Sequence, residues 1–419
     1  MALAMTMLAG VQRPGAAVPI ADAPPAFQLP PPTGRHPVGT TAWRVTDASR
    51  LETLAGLRVP RQVEVLAWYP AASRRGELAP YLREGLPEVQ GFASLLGGPR
   101  TAFDRLAGVR THARVDVTPA TTPERLPVLV FSHGYGSMPS AYTALLEDLA
   151  SHGYAILSIV HPYEAGAATL ADGRVVSFLD ERGTPRQAYR DVVGEWGHED
   201  ETMAAVTRAA DEEEQRRLLR AYLSGLRHTD SALRRWVDDT ALVLDRLSAL
   251  PRESAAGRLA ARLDSGRVGV FGHSMGGVTA GQFCLDDRRC RAGLNLDGIP
   301  QYGTMIDRPL SRPFLMVYSA RPGRTGASDA IYRRAASPYY RVDVGNTLHL
   351  DFSDMIFWGG PLRDRGALGT LAPARATEIT RSIVRQYFDH VLLGRRSPLM
   401  AGRSAFPEVT VKGASAAAR

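Results

Sequence analysis

The sequence has little lysine: Lys412 is the only one, so nearly every cation is an arginine. The formal charge is +7, but the arginines are scattered along the chain and form no blocks. A nucleic-acid surface needs a concentrated basic patch, so no nucleic-acid partner is expected. Cysteine is also scarce. Cys284 and Cys290 are too few for a disulfide-framed scaffold and lack the paired spacing of a zinc site, so no metal is expected. In "CLDDRRC" they could close a local disulfide in an exported chain, although a six-residue separation alone does not fix the geometry. No run of eighteen apolar residues exists, which argues against a membrane-spanning helix. The start, "MALAMTMLAGV", is apolar but short and lacks the positive flank of an export signal. It reads as a flexible leader, with a cytoplasmic location favoured over export.

The 419 residues, 44% hydrophobic and 22% charged, suffice for a full core. Residues 1–34, with "ADAPPAFQLPPPTG", read as an Ala/Pro-rich leader, and residues 35–415 as one folded domain. "VGTTAWRVT", "RQVEVLAWYP" and "HARVDV" have strand character. "LPVLVFS", "YAILSIV", "RVGVFG", "RAGLNL" and "RPFLMVYS" are near-continuous apolar runs, the pattern of strands buried on both faces of a parallel sheet. Helical patterns alternate with them, predicting an α/β fold with antiparallel neighbours at one edge. Residues 163–230 are too long for a simple connection and read as a helical, cap-like insertion. Within it, Glu212–Arg216 and Glu213–Arg217 have the i,i+4 order of helix ion pairs.

"GHSMGG" (272–277) follows an apolar strand and opens a small-residue helix. Gly272, Ser274 and Gly276 satisfy G-x-S-x-G, a turn that exposes a serine nucleophile where neighbouring side chains would collide. A serine needs a base, itself oriented by an acid, and on α/β-hydrolase sheets these follow in the order serine, acid, histidine. His349, in the loop "GNTLHLDFSD" after what reads as the last strand, is favoured as base over His390, which lies in a helix pattern. Asp297, ending "GLNL", is favoured as acid, with Asp329 the alternative; Asp351 and Asp354 lie too near His349 in the chain. Two backbone N–H groups must stabilise the oxyanion. Met275 supplies one, and Tyr135 in the glycine loop "SHGYGS" supplies the other. His133 reads as a loop brace, and His161 as either structural or substrate-lining. Tyr163, Phe352 and Trp358 are candidate substrate-lining residues.

With these residues in place the chain resembles the platelet-activating factor acetylhydrolase family (isoform II type) of α/β hydrolases, including its bacterial members. The resemblance rests on "LPPPTGRHPVGTTAWRVTD", "VEVLAWYPA", "VLVFSHGYGSMPSAYTALLEDLASHGYAILSIVHP", "GHSMGG", "GLNLDG" and "HLDFSD". It implies calcium-independent hydrolysis of short or oxidised acyl esters, notably at the sn-2 position of phospholipids, and no cofactor is expected. It also implies Ser274, Asp297 and His349 as the triad and Tyr135 and Met275 as oxyanion donors. The expected partner is a small-molecule ester or lipid, with peripheral lipid contact. A polyester or cutin-type hydrolase and a catalytically silent binding protein are the competing readings.

Overall fold

Strand β5 (Leu126–Ser132) shows how the sheet is built. Leu129 and Phe131 enter one hydrophobic cluster while Val128 and Val130 enter the other, the alternation of a strand covered on both faces. The computed structural model describes residues 27–56, 58–298, 304–335 and 338–415. Among these, β5, β6 (Ala155–Val160), β9 (Leu263–His273), β10 (Cys290–Leu296), β11 (Phe314–Tyr318) and β12 (Tyr339–Val344) pair in parallel. Strands β1 (Val38–Leu51), β2 (Pro60–Pro70), β3 (Leu78–Pro80) and β4 (Arg110–Val115) extend one edge. Strand β13 (Val409–Ser415) closes the other, antiparallel to β12. The order is β13-β12-β11-β10-β9-β5-β6-β2-β1-β4-β3. A small hairpin, β7 (Ala168–Thr169) and β8 (Val175–Val176), stands apart from the sheet. The chain has an α/β-hydrolase fold, a mostly parallel sheet flanked by helices.

Helix α1 (Pro87–Leu95) packs through Phe92 on Phe103 and Trp358, and α2 (Thr143–Ser151) follows β5 on the face later covered by α11 (Pro373–Leu393). The opposite face carries α6 (Arg227–Arg246) and α8 (Met275–Asp286). Between β6 and α6 lie α3 (Gln187–Glu195), α4 (Glu199–Arg208) and α5 (Glu212–Leu223). They fall within residues 163–230, read above as a helical insertion. Arg217 pairs with Glu214 rather than Glu213, and Arg216 also donates to the Ala330 carbonyl. Three short helices, α7 (Ala255–Ala260), α9 (Asp329–Ala335) and α10 (Gly360–Arg363), complete the set among the described residues.

Two expectations need correction. The part of the leader within the described residues is docked, not loose. Phe27 stacks on Phe357, Arg381 donates to the Pro30 and Pro31 carbonyls at 2.8 and 3.0 Å, and Thr33 bonds Asp148. Proline carbonyls in an extended segment stay free to accept, so a proline-rich stretch suits this docking. Residues 1–26 lie outside the described residues. Second, β11 is not the last strand. Strand β12 lacks the apolar signature because Arg341 and Asp343 interrupt it; they pair with each other, and Arg341 also holds Asp329.

Cys284 and Cys290 form a disulfide that joins the end of α8 to the start of β10, with Cα atoms 5.0 Å apart. Closing so short a loop removes modest entropy from the unfolded chain. A Cys284→Ala/Cys290→Ala pair is expected to lower unfolding free energy by ~2 kcal/mol in chemical denaturation, with the native fold retained.

Candidate active site

At the carboxyl end of β9 the chain turns sharply into α8. Ser274, at the turn, has φ 57° and ψ −127°, a conformation that costs a non-glycine residue about 1–3 kcal/mol. Packing around it sustains the strain. The Ser274 amide donates to the Leu296 carbonyl of β10 at 3.0 Å, and its own carbonyl accepts from Gly277 and Val278. A Cβ on Gly276 would lie 2.0 Å from the Ser132 carbonyl, and one on Gly272 2.3 Å from the backbone of Gly276. Only hydrogen fits at these two positions, because α8 is pressed against the ends of β5 and β9. The side chain of Ser274 remains half-buried at the sheet rim.

Asp297 follows the next strand, β10, also with positive φ (54°). It is fully buried, and its oxygens are committed. Oδ1 accepts the Ser319 amide at 2.8 Å, while Oδ2 accepts Ser319 Oγ at 2.9 Å and His349 Nδ1 at 2.8 Å. Arg321 Nη2 lies 3.1 Å from the same Oδ2. Desolvation alone would raise the Asp297 pKa, but Arg321 and His349 outweigh it and hold the carboxyl ionised, below its ordinary range. With its Nδ1 proton on Asp297, neutral His349 keeps the Nε2 lone pair as a proton acceptor. Burial, followed by the charge of Arg321 and by His273, keeps the imidazole neutral, well below its usual pKa.

His273, immediately before Ser274, ties His349 to the turn. The ring centroids are 4.4 Å apart, and His273 Nε2 donates to the His349 carbonyl at 2.8 Å. A carbonyl only accepts, so the proton sits on Nε2 and Nδ1 must receive the Tyr142 hydroxyl, 2.8 Å away. Burial moves the His273 pKa down to about 4, in keeping with a neutral ring. Tyr142 Oη in turn accepts the Gly134 amide at 3.3 Å. One hydrogen-bonded chain thus joins the 132–137 loop, the serine turn and the histidine loop.

In that loop the Ser137 amide donates to the Gly134 carbonyl, and Gly136 has φ 74°, as a type II turn requires at its third position. No described residue accepts from the amides of Tyr135 or Met275. The Tyr135 ring stacks on Tyr189 of α3 (5.2 Å, 10°) and meets the edge of Trp196 (5.7 Å), so the insertion borders this loop. Beneath lies a buried ionic web. Arg61 bonds Asp239 at 2.7 Å and Glu52, Arg235 bonds Glu164 at 2.8 Å, and the Glu164 carbonyl accepts the Gly136 amide. His133 braces the loop through Nδ1 to the Gly134 carbonyl at 2.7 Å. His161 is structural, stacked on Trp236 at 3.9 Å and bonded to Asp239 at 2.9 Å.

The other candidates are engaged elsewhere. Asp329 is held by Arg341, Tyr318 and Tyr339. His390 bonds the Arg395 carbonyl past the end of α11. Asp351 accepts the Leu348 and Gly369 amides, and Asp354 the Ala144 amide of α2. Trp358, expected to line the substrate site, is a core residue: its Nε1 donates to Tyr81 Oη, and its ring packs on Phe92 and Phe103. Phe352 is buried with its ring 6.5 Å from that of His273. Tyr163 has φ 67° and carries the Arg186 guanidinium 5.0 Å over its ring. Arg321, Ser319 and Tyr142 were not anticipated, since nothing in their local sequence marks them. Among the described residues no group of three His, Cys, Asp or Glu could hold a metal, and no helix is long and apolar enough to cross a membrane.

The family model described as platelet-activating factor acetylhydrolase, isoform II, matches residues 23–357. The chain belongs to this family. A platelet-activating factor acetylhydrolase from Cavia porcellus is 29% identical over 295 residues, 67% of this chain and 59% of that one. The chain likewise spans 59% of the length of the relative of that name from Canis lupus familiaris. A probable 1-alkyl-2-acetylglycerophosphocholine esterase from Arthroderma benhamiae is 22% identical over 92% of this chain and 94% of its own. Among solved structures, a ferulic acid esterase from Streptomyces cinnamoneus superposes with a TM-score of 0.68 at 28% identity, covering 92% of this chain and 99% of that one. The named relatives of this acetylhydrolase-family chain are thus ester hydrolases.

The ionic web yields a prediction. Asp239→Ala strips Arg61 of its bidentate partner inside the protein, and is expected to cost about 3–5 kcal/mol of unfolding free energy in urea titration. An exposed control, Asp172→Ala, is expected to leave the unfolding midpoint unchanged.

Proposed function

We propose that the chain is a serine carboxylic-ester hydrolase with Ser274 as nucleophile, His349 as general base and Asp297 as its orienting acid. The observation that carries this reading is the His349–Asp297 bond of 2.8 Å, on a histidine loop bonded to the residue before Ser274. Ser274 Oγ attacks the ester carbonyl as its proton passes to His349 Nε2, and the Tyr135 and Met275 amides take the oxyanion. Collapse expels the alcohol, which receives the proton from His349, and leaves an acyl-serine. His349 then draws a proton from water, whose oxygen attacks the acyl carbon; return of that proton to Ser274 Oγ releases the acid. Asp297 keeps the imidazole in the required tautomer and stabilises the transient imidazolium without itself taking the proton.

The substrates are short or oxidised acyl esters, sn-2 phospholipid esters among them. Family membership and the names of the relatives support this class. Assays with p-nitrophenyl acetate, butyrate and octanoate, a short-acyl phospholipid, a hydroxycinnamate ester and a polyester film distinguish it from its rivals. Expected is turnover of the short-acyl esters with kcat/KM falling as the acyl chain lengthens. Ser274→Ala and His349→Ala are expected to lose at least ~10^4-fold in kcat, and Asp297→Asn about 10^3- to 10^4-fold. Activity on the film alone would reassign the chain as a polyester hydrolase. Turnover by wild type no better than by Ser274→Ala would make it a binding protein.

A further inference from the structure

We propose that Arg321 is a positioning residue for the acid–base pair, whose fixed charge, seated on the carboxylate oxygen that also receives His349, sets the lower pH limit of catalysis. The inference rests on the triad reading above and deepens it.

In a plain histidine–aspartate pair the carboxylate faces the imidazole with its full charge and favours imidazolium. Here Oδ2 of Asp297 accepts from His349 Nδ1 at 2.8 Å and Ser319 Oγ at 2.9 Å, and Arg321 Nη2 makes an ion pair with it at 3.1 Å. The same Arg321 nitrogen lies 3.3 Å from the Asp297 carbonyl, so the guanidinium grips both ends of the residue. Seen from His349, Asp297 and Arg321 together carry little net charge, and protonating the imidazole places a second cation beside the first. The other groups facing this ring do not offset that. His273, from β9, is neutral and bound through Nε2 to the His349 carbonyl. Asp351, on the turn of His349 itself, is occupied by two backbone amides.

The insertion holds Arg321 in place. Arg324, three residues on and buried, bonds Glu199 at 2.6 Å and also Asp200, both at the start of α4. This fastens the loop after β11, which carries Ser319 and Arg321, to the insertion. Glu199 and Asp200 feel the Arg321 charge as well, but Arg324 already neutralises them in part. In accord with this geometry, Arg321 comes next after burial among the influences that lower the proton affinity of His349.

The sign follows. A base that resists protonation stays neutral as pH falls, so the acid limb of kcat/KM lies below the ordinary imidazole value of ~6.5. Arg321→Gln removes the opposing charge, raises the proton affinity of His349 and moves that limb upward. The shift expected is at least ~1 pH unit, which is ~10-fold in activity at pH values below both limbs. The alkaline plateau stays level or rises, because Asp297 then favours imidazolium more strongly. Arg321→Lys keeps the charge and holds the limb within ~0.3 unit of wild type.

The experiment is the pH profile of p-nitrophenyl acetate hydrolysis for wild type, Arg321→Gln, Arg321→Met and Arg321→Lys, with far-UV circular dichroism confirming the fold. An upward limb in the neutral variants and none in the lysine variant supports the proposal. A lowered plateau with an unmoved limb means a purely structural role and overturns it. If neither neutral variant folds, histidine NMR titration of wild type beside Arg324→Met, which frees the loop carrying Arg321 from Glu199 and Asp200, decides. A His349 pKa higher in Arg324→Met than in wild type supports the proposal; an unchanged value, or a wild-type value at or above the ordinary one, overturns it. Ser274→Ala and His349→Ala run alongside. Should they stay active, the triad reading fails; should they be dead while the limb does not move, Arg321 alone is misassigned.

Discussion

Three segments distant in the chain converge on one imidazole. His273 donates from Nε2 to the carbonyl of His349 and accepts at Nδ1 from Tyr142, which itself receives the amide of Gly134. Both nitrogens are used, and a neutral ring offers one donor and one acceptor, so the arrangement tolerates a single tautomer. A protonated His273 would lose its bond from Tyr142, and burial opposes that protonation. The distance between the serine turn, the glycine loop and the histidine loop is thereby set by side-chain chemistry as well as by the sheet.

Beside the proposed Ser274–His349–Asp297 triad, the described residues hold another serine–histidine–aspartate array, and comparing the two shows what the residue types alone do not confer. In the second, Ser132 Oγ lies 3.5 Å from His161 Nε2, and His161 Nδ1 bonds Asp239 at 2.9 Å. Ser132 ends a strand in extended backbone and is buried, and His161 is sealed against Trp236. Asp239 is neutralised by Arg61, as Asp297 is by Arg321. The difference lies in the backbone. Ser274 is lifted to the rim by a positive φ and by flanking glycines whose hydrogens admit β5, whereas Ser132 has no such turn. The Ser132 array supports the loop that the Ser274 array is proposed to use.

Much of the fold was legible because its central strands are covered on both faces. Uninterrupted runs such as "LPVLVFS" became β5 residue for residue. Strand β12 was not legible, since beside the antiparallel edge strand β13 it carries Arg341 and Asp343, whose pairing only three dimensions reveal. The serine turn could be read from glycine spacing, because steric exclusion leaves a local signature. Chain order and strand-end position favoured His349 and Asp297, and the family resemblance strengthened Asp297 over Asp329; their roles remain the proposal. Arg321 and Tyr142 left no trace, because their roles depend on loop paths that bring an ordinary arginine and an ordinary tyrosine to the rim. Proline content misled in one place: residues 27–34 look like a linker, yet their free carbonyls are what Arg381 binds.

The central claim is that Ser274, His349 and two backbone amides surround one reacting carbon. A crystal structure of the protein after reaction with a p-nitrophenyl alkylphosphonate tests it most directly, since the phosphorus mimics the tetrahedral carbon. The account predicts a covalent bond to Ser274 Oγ, the phosphoryl oxygen within ~3 Å of the Tyr135 and Met275 nitrogens, and His349 Nε2 beside the Ser274 oxygen. An adduct on another residue, or a phosphoryl oxygen turned away from both amides, would contradict it.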